Sequence, residues 1–135
     1  MSVKNIMIID DDEELCIELM QLLVDKGFKV ETAQSAEAGI CILGKKPFDL
    51  LLLDLKMPGI SGYEFIEFVK KQYPQLKVFI ITGSTFSWEF INRYDKHFKE
   101  FNEEESLKSA RLKLADLVLN KPFDIENLIN KIKEI

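Results

Sequence analysis

The sequence predicts an α/β fold: a doubly wound, five-stranded parallel sheet with helices on both faces. Three observations predict it. Short apolar runs end abruptly in polar residues, helical patterns with recognisable ends lie between them, and 135 residues fit a single domain spanning 1–135. Residues 4–9 (KNIMII) and 50–53 (LLLL) each stop at an aspartate, and 77–81 (KVFII) stops at Thr82 and Gly83. Such runs, rich in Ile and Leu and without alternation, read as strands buried on both faces. Residues 28–33 (FKVETA) and 116–120 (DLVLN) are weaker strand candidates.

The helices between them carry start and stop signals. Asp12 suits the N-cap of a first helix, with Glu13 and Glu14 complementing its dipole. Leu15, Leu19, Leu22 and Leu23 supply its expected apolar face, and Gly27 suits its left-handed stop. Residues 35–43 (SAEAGICIL), closed by Gly44, form a second helix. Residues 62–72 (GYEFIEFVKKQ), ended by Tyr73-Pro74, form a third, and 124–134, opening on Asp124, the last.

Composition excludes several classes of function. A net charge of −5, from 18 basic and 23 acidic residues, argues against direct nucleic-acid binding, which needs a Lys/Arg excess. No apolar stretch reaches the ~18–20 residues of a membrane span, and no signal pattern opens the chain, so the expected location is cytoplasmic. Cys16 and Cys41 fall within helices and are expected as small buried hydrophobes rather than as a disulfide or metal site.

The informative feature is the polar residue at the end of each apolar run. Asp10 and Asp11 (with Asp12) come after the first strand, Asp54 after the third, Thr82 after the fourth and Lys121 after the fifth. In a parallel sheet these residues gather at one edge, where open α/β sheets bind ligands. Carboxylates gathered there repel unless a cation sits among them, and oxygen-only ligands with a phosphate substrate favour Mg²⁺. So shielded, Asp54 could attack phosphorus, with a lysine and a hydroxyl as donors to phosphoryl oxygens. Taken singly, each residue has a plainer reading. Asp10–Asp12 could be a helix-capping cluster, Asp54 a turn residue, and Lys121 a loop lysine.

The segments IMIIDDDEEL, DLLLLDLKMPGISGYEF, VFIITGST and LVLNKPF resemble, in order, the signature blocks of bacterial two-component response-regulator receivers. The resemblance implies the flavodoxin-like (βα)5 receiver fold and a phosphoacceptor at Asp54. It implies Mg²⁺ held by Asp10, Asp11, Asp54 and the backbone carbonyl of Lys56. It also implies a switch hydroxyl at Thr82 and an ammonium partner at Lys121.

Two departures stand out. Val118 occupies the position, three before Lys121, where receivers usually carry Tyr or Phe. In addition, 38 residues separate Thr82 from Lys121, where one helix with its loops and a short strand needs only about 20–25. Residues 86–102 (FSWEFINRYDKHFKEFN) are the excess, and they hold six of the 14 aromatic residues. On a helical wheel Phe86, Phe90, Ile91, Tyr94, His97, Phe98 and Phe101 fall within an arc of about 140°, with Trp88 alone near the polar side, predicting an extra amphipathic helix inserted between strands 4 and 5. That stripe either packs on its own domain or meets a partner or second copy.

The expected function is a phosphorylation-dependent signalling switch of a phosphorelay, served by a histidine kinase or phosphotransfer protein. Self-association is expected through the inserted helix or the face formed by the fourth helix, fifth strand and last helix. No turnover enzyme is expected. Phosphatases with an aspartate nucleophile place a second Asp two residues later, where Lys56 stands here. No flavin is expected either, because the strand ends offer carboxylates. The chain closes with the last helix, which reads as a stand-alone receiver or as one taken from a longer regulator. The rival reading is a receiver-like interaction module that works without phosphorylation.

Overall fold

Five of the apolar runs form strands, and each ends within a residue or two of the place where its apolar character stops. The computed structural model describes residues 4–55, 62–82, 113–120 and 123–135. In chain order these form β1 (Asn5–Ile9), α1 (Glu13–Asp25), β2 (Lys29–Ala33), α2 (Ala36–Leu43) and β3 (Leu50–Asp54). They continue with α3 (Gly62–Gln72), β4 (Lys77–Thr82), β5 (Leu117–Asn120) and a last helix, α4 (Ile125–Lys133). The helix expected over 86–102 lies outside the described residues, as do Lys56 and Lys121.

All neighbouring strands pair in parallel, in the order β2-β1-β3-β4-β5. The period of two along each strand sorts the side chains into two cores. Met7, Ile9, Leu51, Leu53, Val78 and Ile80 face α2 and α3, where Phe65, Ile66 and Val69 meet them. Ile6, Ile8, Leu50, Leu52, Phe79 and Ile81 face α1 and α4, against Leu19, Leu23, Leu128 and Ile132. Burial on both faces is why these strands read as unbroken apolar runs.

The helices begin and end by local chemistry. Asp12, Ser35 and Asp124 cap α1, α2 and α4, each accepting a backbone N–H from the first turn. Gly27, at φ 95°, takes the left-handed turn after α1 that a β-carbon would strain.

Two expectations require correction. Leu22 is 46% exposed, and the buried face of α1 is Cys16, Leu19 and Leu23. Apolar residues occur on nearly every side of α1, so periodicity alone does not select the seated stripe. The helix sits rotated toward Cys16. Cys41 is likewise exposed on α2, while Cys16 is buried, and both are free thiols.

Candidate metal centre

The strand order turns at β1, with β2 on one side and β3 on the other. The connections therefore leave on opposite faces, opening a crevice beyond the carboxyl ends of β1 and β3. Ile9 pairs in register with Leu53, so the next residues on the two strands, Asp10 and Asp54, stand side by side. Both are buried, at 3% and 6% exposure, while Asp11 is exposed. One carboxylate oxygen from each of Asp10, Asp11 and Asp54 lies within 4.8 Å of the others.

The electrostatics of that cluster are unfavourable without a counter-charge. Two carboxylates at such a separation repel by roughly 3–4 kcal/mol at an effective dielectric near 20. Burial of Asp10 and Asp54 adds a desolvation penalty to that repulsion. The scaffold offsets this strain. Leu50 to Leu53 beneath Asp54 are at most 1% exposed, and each buried leucine contributes about 1.5–3 kcal/mol. The donor set is all oxygen, part buried and part open, which fits a hard divalent cation that keeps some of its water. A Mg²⁺ ion fits this chemistry better than zinc, which prefers histidine and cysteine ligands.

Asp10 is held by its backbone and by α1. Its N–H donates to Ala33 O at 3.1 Å, tying it to the end of β2. Its Oδ1 accepts the N–H of Asp12 at 3.0 Å, and its carbonyl accepts the Cys16 thiol at 3.4 Å. Burial, with the nearby charges of Asp10 and Asp12, pushes that thiol up to about 11, although bonds to Gln34 and the Asp10 carbonyl oppose the rise. Cys16 therefore stays protonated at neutral pH and remains a donor.

Of the residues singled out in the sequence, the fold brings Asp10, Asp11 and Asp54 together. Thr82 closes β4, its backbone in register with Asn120 at the end of β5, so it belongs to the same sheet edge. Lys121 comes immediately after Asn120 in sequence. Val118 is half-buried against the core beside α3. The contact of Cys16 with Asp10 was not legible, since a cysteine on an apolar helix face reads as packing.

A second polar cluster lies at the opposite edge of the sheet, just before β5. Asp116 Oδ2 accepts from Lys70 Nζ at 2.7 Å and from the Val78 N–H at 2.8 Å. The Asp116 N–H donates to Val78 O at 2.8 Å. Partial burial opposes ionisation of Asp116, but the hydrogen bonds and the charges of Lys70 and Lys77 outweigh it. Its carboxyl is held below the usual range. This joint pins the edge strand to α3 and β4.

Comparison with known proteins agrees with the fold. Residues 6–101 match the family model described as the response regulator receiver domain. Among curated proteins, a putative NtrX-like response regulator of Rickettsia bellii is 30% identical over 112 residues, which is 78% of this chain but 23% of that protein. A probable transcriptional regulator, ycf29, of Porphyra purpurea is 27% identical over 97% of this chain and 56% of its own length. The chain thus spans between about a quarter and a little over half of these two relatives. Among solved structures, a CheY-like receiver domain protein from Methanospirillum hungatei JF-1 has a TM-score of 0.77 and 31% identity. That match covers 98% of this chain and 93% of the other. The response regulator TrrA from Thermotoga maritima, solved with Mg²⁺-BeF, shares the fold at a TM-score of 0.75 and 24% identity, over 98% of both chains.

Proposed function

The chain belongs to the response regulator receiver domain family of two-component signalling, and on that premise we propose that Asp54 accepts a phosphoryl group in a Mg²⁺-dependent reaction. The observation that carries the reading is the convergence of Asp10, Asp11 and Asp54 at the carboxyl ends of β1 and β3. Asp10 and Asp11, with Asp54 and the Lys56 carbonyl, would hold the cation, Asp11 as the more direct ligand of the acidic pair. When bound, Mg²⁺ supplies positive charge that offsets the carboxylates and the incoming phosphoryl oxygens.

The chain's own groups do the rest. A carboxylate oxygen of Asp54 attacks phosphorus in line, forming an O–P bond as the N–P bond of a phosphohistidine donor breaks. The departing histidine keeps the bonding electron pair. Thr82, the last residue of β4, and Lys121, next in sequence after β5, would offer a hydroxyl and an ammonium to the phosphoryl oxygens. The product carries about −1.5 to −2 charge, enough to draw nearby donors into new bonds and reorganise the loops that bear them. Donors of this kind are a histidine kinase or a phosphotransfer protein, in the cytoplasm. The protein acts as a switch and not as a turnover enzyme, because Lys56 stands where a general acid would be needed.

Val118 favours a second reading, an interaction module that signals without phosphorylation, since the aromatic group usual at that position is replaced. One experiment separates the two. Intact mass is measured after incubation with acetyl phosphate and Mg²⁺, alongside Asp54→Asn and a chelator-treated sample. A single phosphoryl adduct that needs both Asp54 and Mg²⁺ supports the switch. A folded, Mg²⁺-binding protein that gains no adduct from acetyl phosphate or from a phosphohistidine donor supports the module.

A further inference from the structure

Asp12 is the third acidic residue of the run and stands outside the proposed ligand set. Two bonds give it a defined place. Its Oδ1 accepts the Leu15 N–H at 3.1 Å, closing the first turn of α1. Its own N–H donates to Asp10 Oδ1 at 3.0 Å. The side chain thus fixes the helix start, and the helix start fixes an amide that grips a buried carboxylate. Asp10 is 3% exposed, so a change in that grip has little solvent to compensate it.

We propose that Asp12 is a positioning residue for cation binding, its helix cap holding the amide that orients the Asp10 carboxylate toward Asp11 and Asp54. This rests on the cation-dependent reading of the acidic cluster. The action is geometric. A cap acceptor of any charge serves, provided that it bonds the Leu15 N–H and leaves the Asp12 amide in place. Outer bonding partners of metal ligands commonly matter 10- to 100-fold in affinity. Here the amide survives substitution and only its restraint is lost, which puts the expected loss near the lower end, roughly tenfold.

The test compares variants that remove the same charge but differ in capping. Asp12→Asn and Asp12→Ser keep a cap acceptor, whereas Asp12→Ala and Asp12→Gly do not. Glycine is included because it is tolerated at the cap position and guards against a poorly folded alanine variant. Mg²⁺ affinity is measured by titration calorimetry on the full chain, and amide hydrogen exchange reports the restraint on Asp12 and Leu15. The expected result is that Asn and Ser agree within about twofold, with Ala and Gly roughly tenfold weaker and faster in exchange. Equal affinity in all four variants overturns the proposal and leaves the cation site standing. A uniform loss against the parent protein would assign the effect to charge, and likewise overturns it. No Mg²⁺ binding by the parent protein overturns both the proposal and the reading beneath it.

Discussion

Gly39 offers a direct test of how tightly α2 seats against the strand that carries Asp10. Its backbone is ordinary, because Gly27 is the glycine with positive φ among the described residues. In a relaxed helix, alanine would therefore stabilise by about 1 kcal/mol. A β-carbon at Gly39, however, would overlap Ile9 Cδ1 and lie 3.1 Å from Ile9 Cγ1. Ile9 is fully buried, so its side chain has little room to move aside. Overpacking of this kind costs about 1–3 kcal/mol, so Gly39→Ala is expected to destabilise by roughly 1 kcal/mol net. Ile9→Val deletes the overlapping Cδ1 at a cost of about 0.5–1.5 kcal/mol. The double variant should then recover the helix propensity and be at least as stable as Ile9→Val alone. Urea unfolding followed by circular dichroism gives the four stabilities and a coupling energy of about 1–2 kcal/mol. Additive effects within ~0.5 kcal/mol, or a Gly39→Ala variant more stable than the parent, would refute the packing argument.

The cysteines and Asp116 give two further expected outcomes. Iodoacetamide at pH 8 should label Cys41 rapidly in the native protein and Cys16 only after unfolding, since the Cys16 thiol is buried with its pKa pushed to about 11. Equal labelling rates in the native state would contradict the placement of Cys16. Asp116→Asn should lower stability by roughly 1 kcal/mol at pH 7, a modest figure because the Asp116 side chain is 29% exposed and its ion pairs are screened. Because the folded carboxyl titrates below the unfolded one, that stabilisation is present above about pH 4 and fades as pH falls further. The parent protein should therefore lose its advantage over Asp116→Asn in that acid range, and a difference unchanged down to pH 2 would count against the ion-pair account.

Much of the fold was legible because burial on both faces leaves an unmistakable trace. The leucines at 50–53 and the stop at Asp54 locate the central strand and its functional end together. Local signals also carried the caps at Asp12 and Asp124, whereas Ser35, read as the first residue of the second helix, is its cap. The seat of α1 was not legible. Leu15, Leu22 and Cys16 compete for its inner face, and only contact with the sheet decides among them. Cys41 misled for a similar reason, being an apolar residue on a short helix that turns it outward. Asp116 gave no signal at all, since its partners Lys70 and Val78 lie 46 and 38 residues away in sequence. The close approach at Gly39 is likewise a tertiary fact. In the site, residue types and order marked Asp10, Asp11 and Asp54, but the amide and thiol that hold Asp10 emerge only from the geometry.

The central claim is that Asp54, among four neighbouring carboxylates, carries the phosphoryl group. Borohydride reduces an aspartyl phosphate to homoserine, which peptide sequencing by mass spectrometry locates. After treatment with acetyl phosphate or a phosphohistidine donor, the account predicts homoserine at position 54, present with Mg²⁺ and absent with chelator. Homoserine at position 10, 11 or 12, or at position 54 irrespective of the cation, would contradict it.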